Sequence, residues 1–336
     1  MEVGSLWTAL WAATSRLVGS GWDTYSAGGM QQVFLLALVL ISAGALWRHY
    51  RPFGLAPELV RRTLTAVVYH LLLPALVLGA LWRAPLEPGM LLVSLAAAVD
   101  VLVGLALAWS WCRVCKLDRR VSGALLLAAA FGNVSYLGIP VLEASLGNWA
   151  RALAVQYDLF GNTPLLFSVG VLVARRYGDA PAAEPEHPIR TLAAAPPMWA
   201  ALVALGLSAA AVPLPEWLAQ VLDRLAAGVA PLMLLVVGLS LAFNRGMLAQ
   251  LPALLPVALI QLLIMPAIIW VLVAGLGVGG EQRIALVLES AMPCMVLGIV
   301  LCERYGLDTA RYAQAVTVTT LVSMATLPAW FALLRG

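Results

Sequence analysis

The chain has 336 residues, of which 62% are hydrophobic and only 11% are charged, whereas soluble proteins carry about 25% charged residues. So few polar side chains cannot cover a water-soluble particle of this size, which indicates an integral membrane protein. The formal net charge of +3 is small and scattered, so no nucleic-acid partner is expected. Partners are expected in the lipid bilayer or across it.

The N-terminal segment, residues 1–29, precedes the first long apolar run. Its apolar residues recur at helical spacing between polar ones, which predicts a short helix lying in the membrane interface. An additional spanning segment is the alternative. Glu2 stands where a signal peptide has basic residues, so a cleaved leader is not expected.

Ten later segments are long and apolar enough to span a bilayer core of about 30 Å, which needs roughly 20 residues of helix. The sequence therefore predicts an all-α integral membrane protein with ten transmembrane helices. The predicted spans 1 to 10 cover, in order, residues 30–47, 63–82, 90–112, 121–146, 150–173, 193–211, 226–243, 253–276, 284–302 and 310–334.

The basic residues predict the orientation of these spans. Most of the 20 Lys and Arg residues fall between spans 1 and 2, 3 and 4, or 5 and 6. Short basic loops stay on the cytoplasmic side of a membrane. We therefore expect a multi-pass protein of the inner (cytoplasmic) membrane with both termini facing outward.

A linker at residues 177–192 divides the chain into two five-span units, 30–176 and 193–336. Leu137-Gly138-Ile139 recurs as Leu297-Gly298-Ile299 at an offset of 160 residues. An odd number of spans per unit inserts the second unit upside down. Inverted repeats of this kind are typical of secondary transporters, whose substrate site lies between the repeats.

Glycine and proline predict that spans 4 and 9 break near the bilayer centre, from Gly132 to Pro140 and from Ala291 to Gly298. The backbone groups freed by such breaks must face protein or a cavity, and the amides of a helix N-terminus favour an anion. An ordinary proline kink is the alternative. The candidate substrate-binding residues are Asn133, Val134, Ser135, Pro140, Met292, Pro293 and Cys294.

Three acids fall well inside predicted spans, away from their ends: Asp100, Asp158 and Glu289. A carboxyl at that depth is costly when ionised and unpaired, so it tends to take up a proton or hold a cation such as sodium. The alternative is a structural carboxyl held by hydrogen bonds. Gln156 and Gln261 add polar support, and Gln261 falls where the repeat places the counterpart of Asp100, which suggests that these two side chains pair.

Span 4 carries the stretch Gly132-Asn133 through Leu137-Gly138-Ile139-Pro140-Val141-Leu142, and Tyr69 through Leu76 precedes it. With Glu289 through Pro293, these stretches resemble the auxin efflux carrier family of plants and bacteria. The resemblance covers nearly all of 30–334. It implies a fold like that of the bile acid/sodium symporters, with two crossing broken helices around a site for a small organic anion, such as an auxin-like carboxylate.

The resemblance also assigns roles. Asn133 is then the polar crossover residue that touches substrate, and Pro140 and Pro293 are the crossover prolines. Spans 1, 2, 6 and 7 form a scaffold that usually makes a homodimer, while spans 3–5 and 8–10 form a moving transport part, as in an elevator-type carrier working by alternating access.

Other classes of function are disfavoured by the residues present. We find no nucleophile–base set, no Walker motif and no ligand set that completes a metal site, so neither an enzyme nor a cofactor is expected. A membrane receptor or a channel is the alternative, because a broken-helix site can bind a ligand without coupled transport.

Overall fold

A computed structural model describes residues 27–83, 89–179, 195–241 and 247–335. The predictions for most of the N-terminal segment and of the central linker lie outside these residues. The described part is helical and contains no β-strand beyond one isolated bridge between two residues.

Twelve α-helices make up most of the described residues. In chain order they are α1 Ala27–Tyr50, α2 Pro57–Arg83, α3 Gly89–Val114, α4 Arg119–Ala130, α5 Val134–Leu146, α6 Trp149–Tyr177, α7 Pro196–Ala209, α8 Glu216–Ser240, α9 247–275, α10 Gly280–Ser290, α11 Gly298–Tyr305 and α12 Thr309–Arg335.

Six of these helices are long and apolar enough to cross a membrane: α2, α3, α6, α8, α9 and α12. Three shorter apolar stretches lie in α1, α5 and α7. Many large apolar side chains on the helix surfaces are exposed, among them Val39, Leu91 and Val271. In water such a surface would be an aggregation liability, whereas lipid accepts it. The fold is that of an all-α, multi-pass membrane protein.

Four helices of the described part contain a π-helical turn that a proline follows two residues later. Val68–Leu72 precedes Pro74, Val134–Gly138 precedes Pro140, Asp158–Asn162 precedes Pro164, and Ile260–Ile264 precedes Pro266. Proline has no amide hydrogen, and its ring clashes with the carbonyl four residues earlier. A wider turn at that place accommodates the ring. These helices therefore continue through their prolines instead of ending there.

The predicted break of span 4 is thus too long. Its non-helical part is only Phe131–Asn133, between α4 and α5, and Pro140 lies inside helix α5. The interruption in predicted span 9 covers residues 291–297, between α10 and α11.

The two interruptions are bonded to each other through their main chains. The Asn133 amide donates to the Pro293 carbonyl (2.7 Å), and the Met295 amide donates to the Phe131 carbonyl (3.0 Å). Gly132 and Cys294 form the isolated antiparallel bridge between them. Each interruption therefore satisfies backbone groups of the other, as a buried, non-helical chain requires.

Helices α1 and α8 approach closely at two glycines, Gly44 and Gly238. A Cβ atom built on Gly238 would lie 2.0 Å from the Ile41 carbonyl oxygen, and one built on Gly44 would lie 2.2 Å from the Leu235 carbonyl oxygen. Contacts through small residues are typical of helix pairs in membranes, where backbones must approach to gain packing energy.

Ion pairs cluster at opposite ends of the helices. Arg61 and Arg62 of α2 approach Glu303 of α11 at 3.6 and 3.5 Å. At the other end of α2, Arg83 binds Asp223 of α8 with both of its terminal nitrogens (2.8 and 3.0 Å). These contacts tie α2 to a different neighbour at each of its ends.

Candidate functional site

A cavity of about 50 Å³, which opens to the outside, adjoins the two interruptions. Its wall combines residues 132–136 with parts of α2, α6 and α7 and with Met295 and Leu297 from the second interruption. Most of the lining is apolar. The polar side chains in it are those of Tyr69, Asn133, Ser135, Tyr136, Asp158, Asn162 and Thr163.

Asn133 lies immediately before α5 and is only 3% exposed. Its backbone amide donates to the Pro293 carbonyl, and its own carbonyl accepts from the amides of Leu137 and Gly138 (3.2 and 3.1 Å). Its side-chain amide lines the cavity. An amide offers two donors and an acceptor, so it can bind a polar ligand group there.

The first backbone amides of α5 have no partner within the helix. Val134, Ser135 and Tyr136, which contribute these amides, all line the cavity. A helix start carries partial positive charge and favours an anionic group. The Asn133 side chain and these amides together form a polar corner in a mainly apolar cavity.

Asp158 of α6 lines the same cavity and is 9% exposed. Its carboxylate accepts hydrogen bonds from the Ser135 hydroxyl, the Thr163 hydroxyl (2.8 Å) and the Asn162 amide (3.3 Å). The bond from Ser135 joins α6 directly to the first turn of α5. This carboxylate therefore fixes the geometry of the polar corner.

Asp100 lies outside the cavity lining and joins three helices. It accepts a hydrogen bond from Tyr157 of α6 (2.8 Å) and another from Ser290 of α10 (2.6 Å). The expected pairing of Asp100 with Gln261 is wrong: both polar atoms of the Gln261 side chain lack a partner among the described residues. Tyr157 and Ser290 occupy the positions around Asp100 that this pairing required.

Glu289, next to Ser290 in α10, is completely buried. Neither of its carboxyl oxygens has a hydrogen-bond partner among the described residues. It packs against Gly138 of α5, where an added Cβ would lie 2.6 and 2.8 Å from its two oxygens. An unsatisfied carboxyl is the feature expected of a group that binds a proton or a cation during function.

The remaining predicted residues lie beside the cavity. Met292, Pro293 and Cys294 are buried in the second interruption and do not appear in the cavity wall. The Cys294 backbone amide donates to the Thr319 hydroxyl of α12 (3.1 Å). Gln156 is buried in α6, one residue before Tyr157. The cavity wall therefore does not include these four predicted residues.

A second cavity lies on the other side of Ser135, which lines both. Its wall includes Pro140 and Glu143 of α5, Arg151 of α6 and residues 226–230 of α8. Arg151 pairs with Glu143 (2.5 Å) and lies 4.0 Å from Asp223. Because Arg83 also binds Asp223, these four side chains form a chain of alternating charges that begins in the cavity wall.

Four polar residues of the cavity were not among the predicted site residues: Tyr69, Tyr136, Asn162 and Thr163. The last two stand four and five residues after Asp158, a spacing that brings side chains together on one face of a helix. That spacing was sufficient to predict that both side chains lie beside Asp158. Tyr69 reaches the cavity from α2, and only the packing of α2 against α5 and α6 places it there.

Comparison with known proteins shows the family of the chain. A family model described as "Membrane transport protein" matches residues 32–331. The chain belongs to this membrane transport protein family. The family is the auxin-efflux-like one, so the resemblance read from the sequence is confirmed.

Two archaeal members of the membrane transport protein family resemble the chain over nearly their whole lengths. An uncharacterised transporter of Methanothermobacter thermautotrophicus is 28% identical over 305 residues, which is 90% of this chain and 97% of the relative. One from Methanocaldococcus jannaschii is 24% identical over 309 residues, 89% of this chain and 96% of the relative. The protein is a membrane transporter and not an enzyme.

Proposed function

We propose that the protein is a secondary carrier that moves a small organic solute with a carboxylate group across the cytoplasmic membrane. The observation that carries the proposal is that the Asn133 side chain and the residues of the first turn of α5 line one cavity. Both are suited to a carboxylate, which accepts hydrogen bonds and carries negative charge. The apolar remainder of the cavity suits the organic part of such a solute.

Alternating access in an elevator-type motion is the mechanism that we propose. The main-chain bonds between residues 131–133 and 293–295 support it, because they make the two interruptions move together. The moving part would be predicted spans 3–5 and 8–10, and the scaffold would be α1, α2, α7 and α8, through which we expect a homodimer. The close glycine contact of α1 with α8 supports a rigid scaffold.

The side of the membrane follows from the basic residues. Arg61, Arg62, Arg119 and Arg120 lie at the end that we propose is cytoplasmic. Arg83, Glu143, Arg151 and Asp223 then lie at the outer end. Their ion pairs join α5 and α6 of the moving part to α2 and α8 of the scaffold, and they must separate when the site opens outward.

The test is the substitution Asn133→Ala in the full chain. Purified protein is first screened by thermal shift against monocarboxylates and dicarboxylates, since a ligand that binds the folded state raises its apparent stability. For the carboxylate with the largest shift, Asn133→Ala should weaken binding by about tenfold or more, the loss typical of a hydrogen bond to a charged group. The control is Asn148→Ala, because Asn148 is exposed between α5 and α6.

Counterflow in proteoliposomes then separates a carrier from a channel or a receptor. Unlabelled carboxylate inside the vesicles should drive transient accumulation of the labelled form in wild-type protein and in Asn148→Ala, but not in Asn133→Ala. Unchanged affinity and counterflow in Asn133→Ala would remove this residue from the site. Binding without counterflow in wild-type protein would favour a receptor.

A further inference from the structure

The wall of the cavity holds a negative charge and no positive one. Asp158 is the charged residue there, and none of the described lining residues is Lys, Arg or His. Arg151, which lines the second cavity, is already paired with Glu143. A solute that is only an anion would thus bring a second negative charge beside Asp158 without a compensating cation, and two like charges in a site of low dielectric repel strongly.

The hydrogen bonds of Asp158 leave room for a ligand. Two carboxylate oxygens accept about four hydrogen bonds in total. Ser135, Asn162 and Thr163 donate three, all from residues that also line the cavity. One acceptor position therefore remains, and the three existing bonds hold the carboxylate in a fixed orientation. A cationic donor is the partner that best satisfies such a group.

The polar corner at the start of α5 favours an anionic group, whereas Asp158 favours a cationic one. The side chain of Asn133 and the amides of residues 134–136 favour a negatively charged acceptor, whereas Asp158 favours a positively charged donor. The bond from Ser135 to Asp158 brings the two places together, because Ser135 belongs to the first turn of α5. A solute that satisfies both must carry an anionic and a cationic group close to each other.

We infer that the substrate is a zwitterionic amino acid with an apolar side chain, whose carboxylate binds at Asn133 and the start of α5 and whose ammonium group binds Asp158. An α-amino acid carries these two groups on the same carbon, which matches their closeness in the cavity. Leu73, Leu159, Leu166, Phe167, Met198 and Met295 would surround its side chain. This inference rests on the proposed function and specifies the class of solute.

The experiment compares three probes that differ by one group each. They are L-phenylalanine, 3-phenylpropanoate, which lacks the amine, and 2-phenylethylamine, which lacks the carboxylate. L-leucine, 4-methylpentanoate and 3-methylbutylamine form a second, aliphatic set. Affinity is measured by thermal shift and by isothermal calorimetry on the purified full chain. We expect an amino acid to bind about tenfold or more tightly than either truncated probe, because each truncation leaves one charged partner unsatisfied.

The matched variants are Asp158→Asn and Asp179→Asn. The first removes the charge in the cavity and keeps the shape of the side chain. The second removes the charge of an exposed acid that pairs with Arg120. Asp158→Asn should weaken amino-acid binding by about tenfold or more and leave the affinity for 3-phenylpropanoate unchanged or increased. Asp179→Asn should behave as wild type.

Several results would overturn the inference. One is that wild-type protein binds the simple carboxylate as tightly as the matching amino acid, or more tightly. The others are no binding of either amino acid, and an unchanged preference for amino acids in Asp158→Asn. The comparison of probes on wild-type protein decides the matter even if Asp158→Asn does not fold. Counterflow of 3-phenylpropanoate alone would preserve the proposed carrier and reject the amino acid, whereas selective amino-acid binding without counterflow would reject the carrier and preserve the ligand class.

Discussion

Replacing Gly238 by alanine should push α8 away from α1 and destabilise the protein. The new Cβ would lie 2.0 Å from the Ile41 carbonyl oxygen and 2.8 Å from the Ile41 carbonyl carbon. Carbon and oxygen atoms in close contact are normally about 3.3 Å apart, so the backbones must separate by about 1.3 Å. No side chain can move aside to absorb this overlap, because every close atom belongs to the main chain.

The magnitude follows from two opposing effects. Overpacking costs about 1–3 kcal/mol, and a contact with backbone belongs at the upper end of this range. Alanine regains about 1 kcal/mol because it favours the helix more than glycine does. The net loss in the free energy of unfolding should be about 2 kcal/mol. The control is Gly206→Ala in α7, where an added Cβ meets nothing within 4 Å, so stability should stay the same or rise slightly.

The assay is unfolding by titration with a denaturing detergent in mixed micelles, followed by tryptophan fluorescence, on variants that migrate as wild type in size-exclusion chromatography. Gly238→Ala should unfold at a lower fraction of denaturing detergent than wild type, and Gly206→Ala should not. Equal stability of the two variants would refute the reasoning, because it would mean that α1 and α8 are not held in backbone contact.

Two further predictions concern buried polar groups. Tyr312→Phe should lower the free energy of unfolding by about 1–3 kcal/mol, because the Tyr312 hydroxyl donates to the Met295 carbonyl (2.9 Å). Its loss leaves this buried carbonyl with only the Cys294 thiol, a weak donor 3.7 Å away. The same detergent titration measures the change, and an unchanged midpoint would contradict the prediction. Glu289→Gln or Asp100→Asn should abolish the dependence of counterflow on pH or on sodium, since each keeps the shape of the side chain and removes its titration. If both variants retain that dependence, the coupling group lies elsewhere.

Composition and short motifs were sufficient to predict a helical membrane protein and its family. The interruption near Pro293 could also be predicted, because proline and glycine act on their own turn of the helix. The length of the first interruption could not be predicted. Pro140 could equally end a helix or follow a π-helical turn, and the surrounding packing decides which of the two forms.

Contacts between segments that are distant in the sequence could not be predicted either. The hydroxyl bond from Tyr312 to the Met295 carbonyl depends on how α12 packs, which no local pattern encodes. The predicted repeat places Gln261 at the position that corresponds to Asp100, but corresponding positions in two repeats need not face each other. By contrast, Asn162 and Thr163 follow Asp158 at helical spacing, so this cluster could have been assembled from the sequence alone.

The main-chain contact between the two interruptions affects how the preference for a solute can change. Its hydrogen bonds run from main chain to main chain, from the Asn133 amide to Pro293 and from the Met295 amide to Phe131. Such bonds do not depend on which side chain a residue carries, except that proline cannot replace Asn133 or Met295, since it has no amide hydrogen to donate. The frame of the cavity can therefore persist while the side chains that face the solute are exchanged, so that a new preference for solutes requires no new architecture.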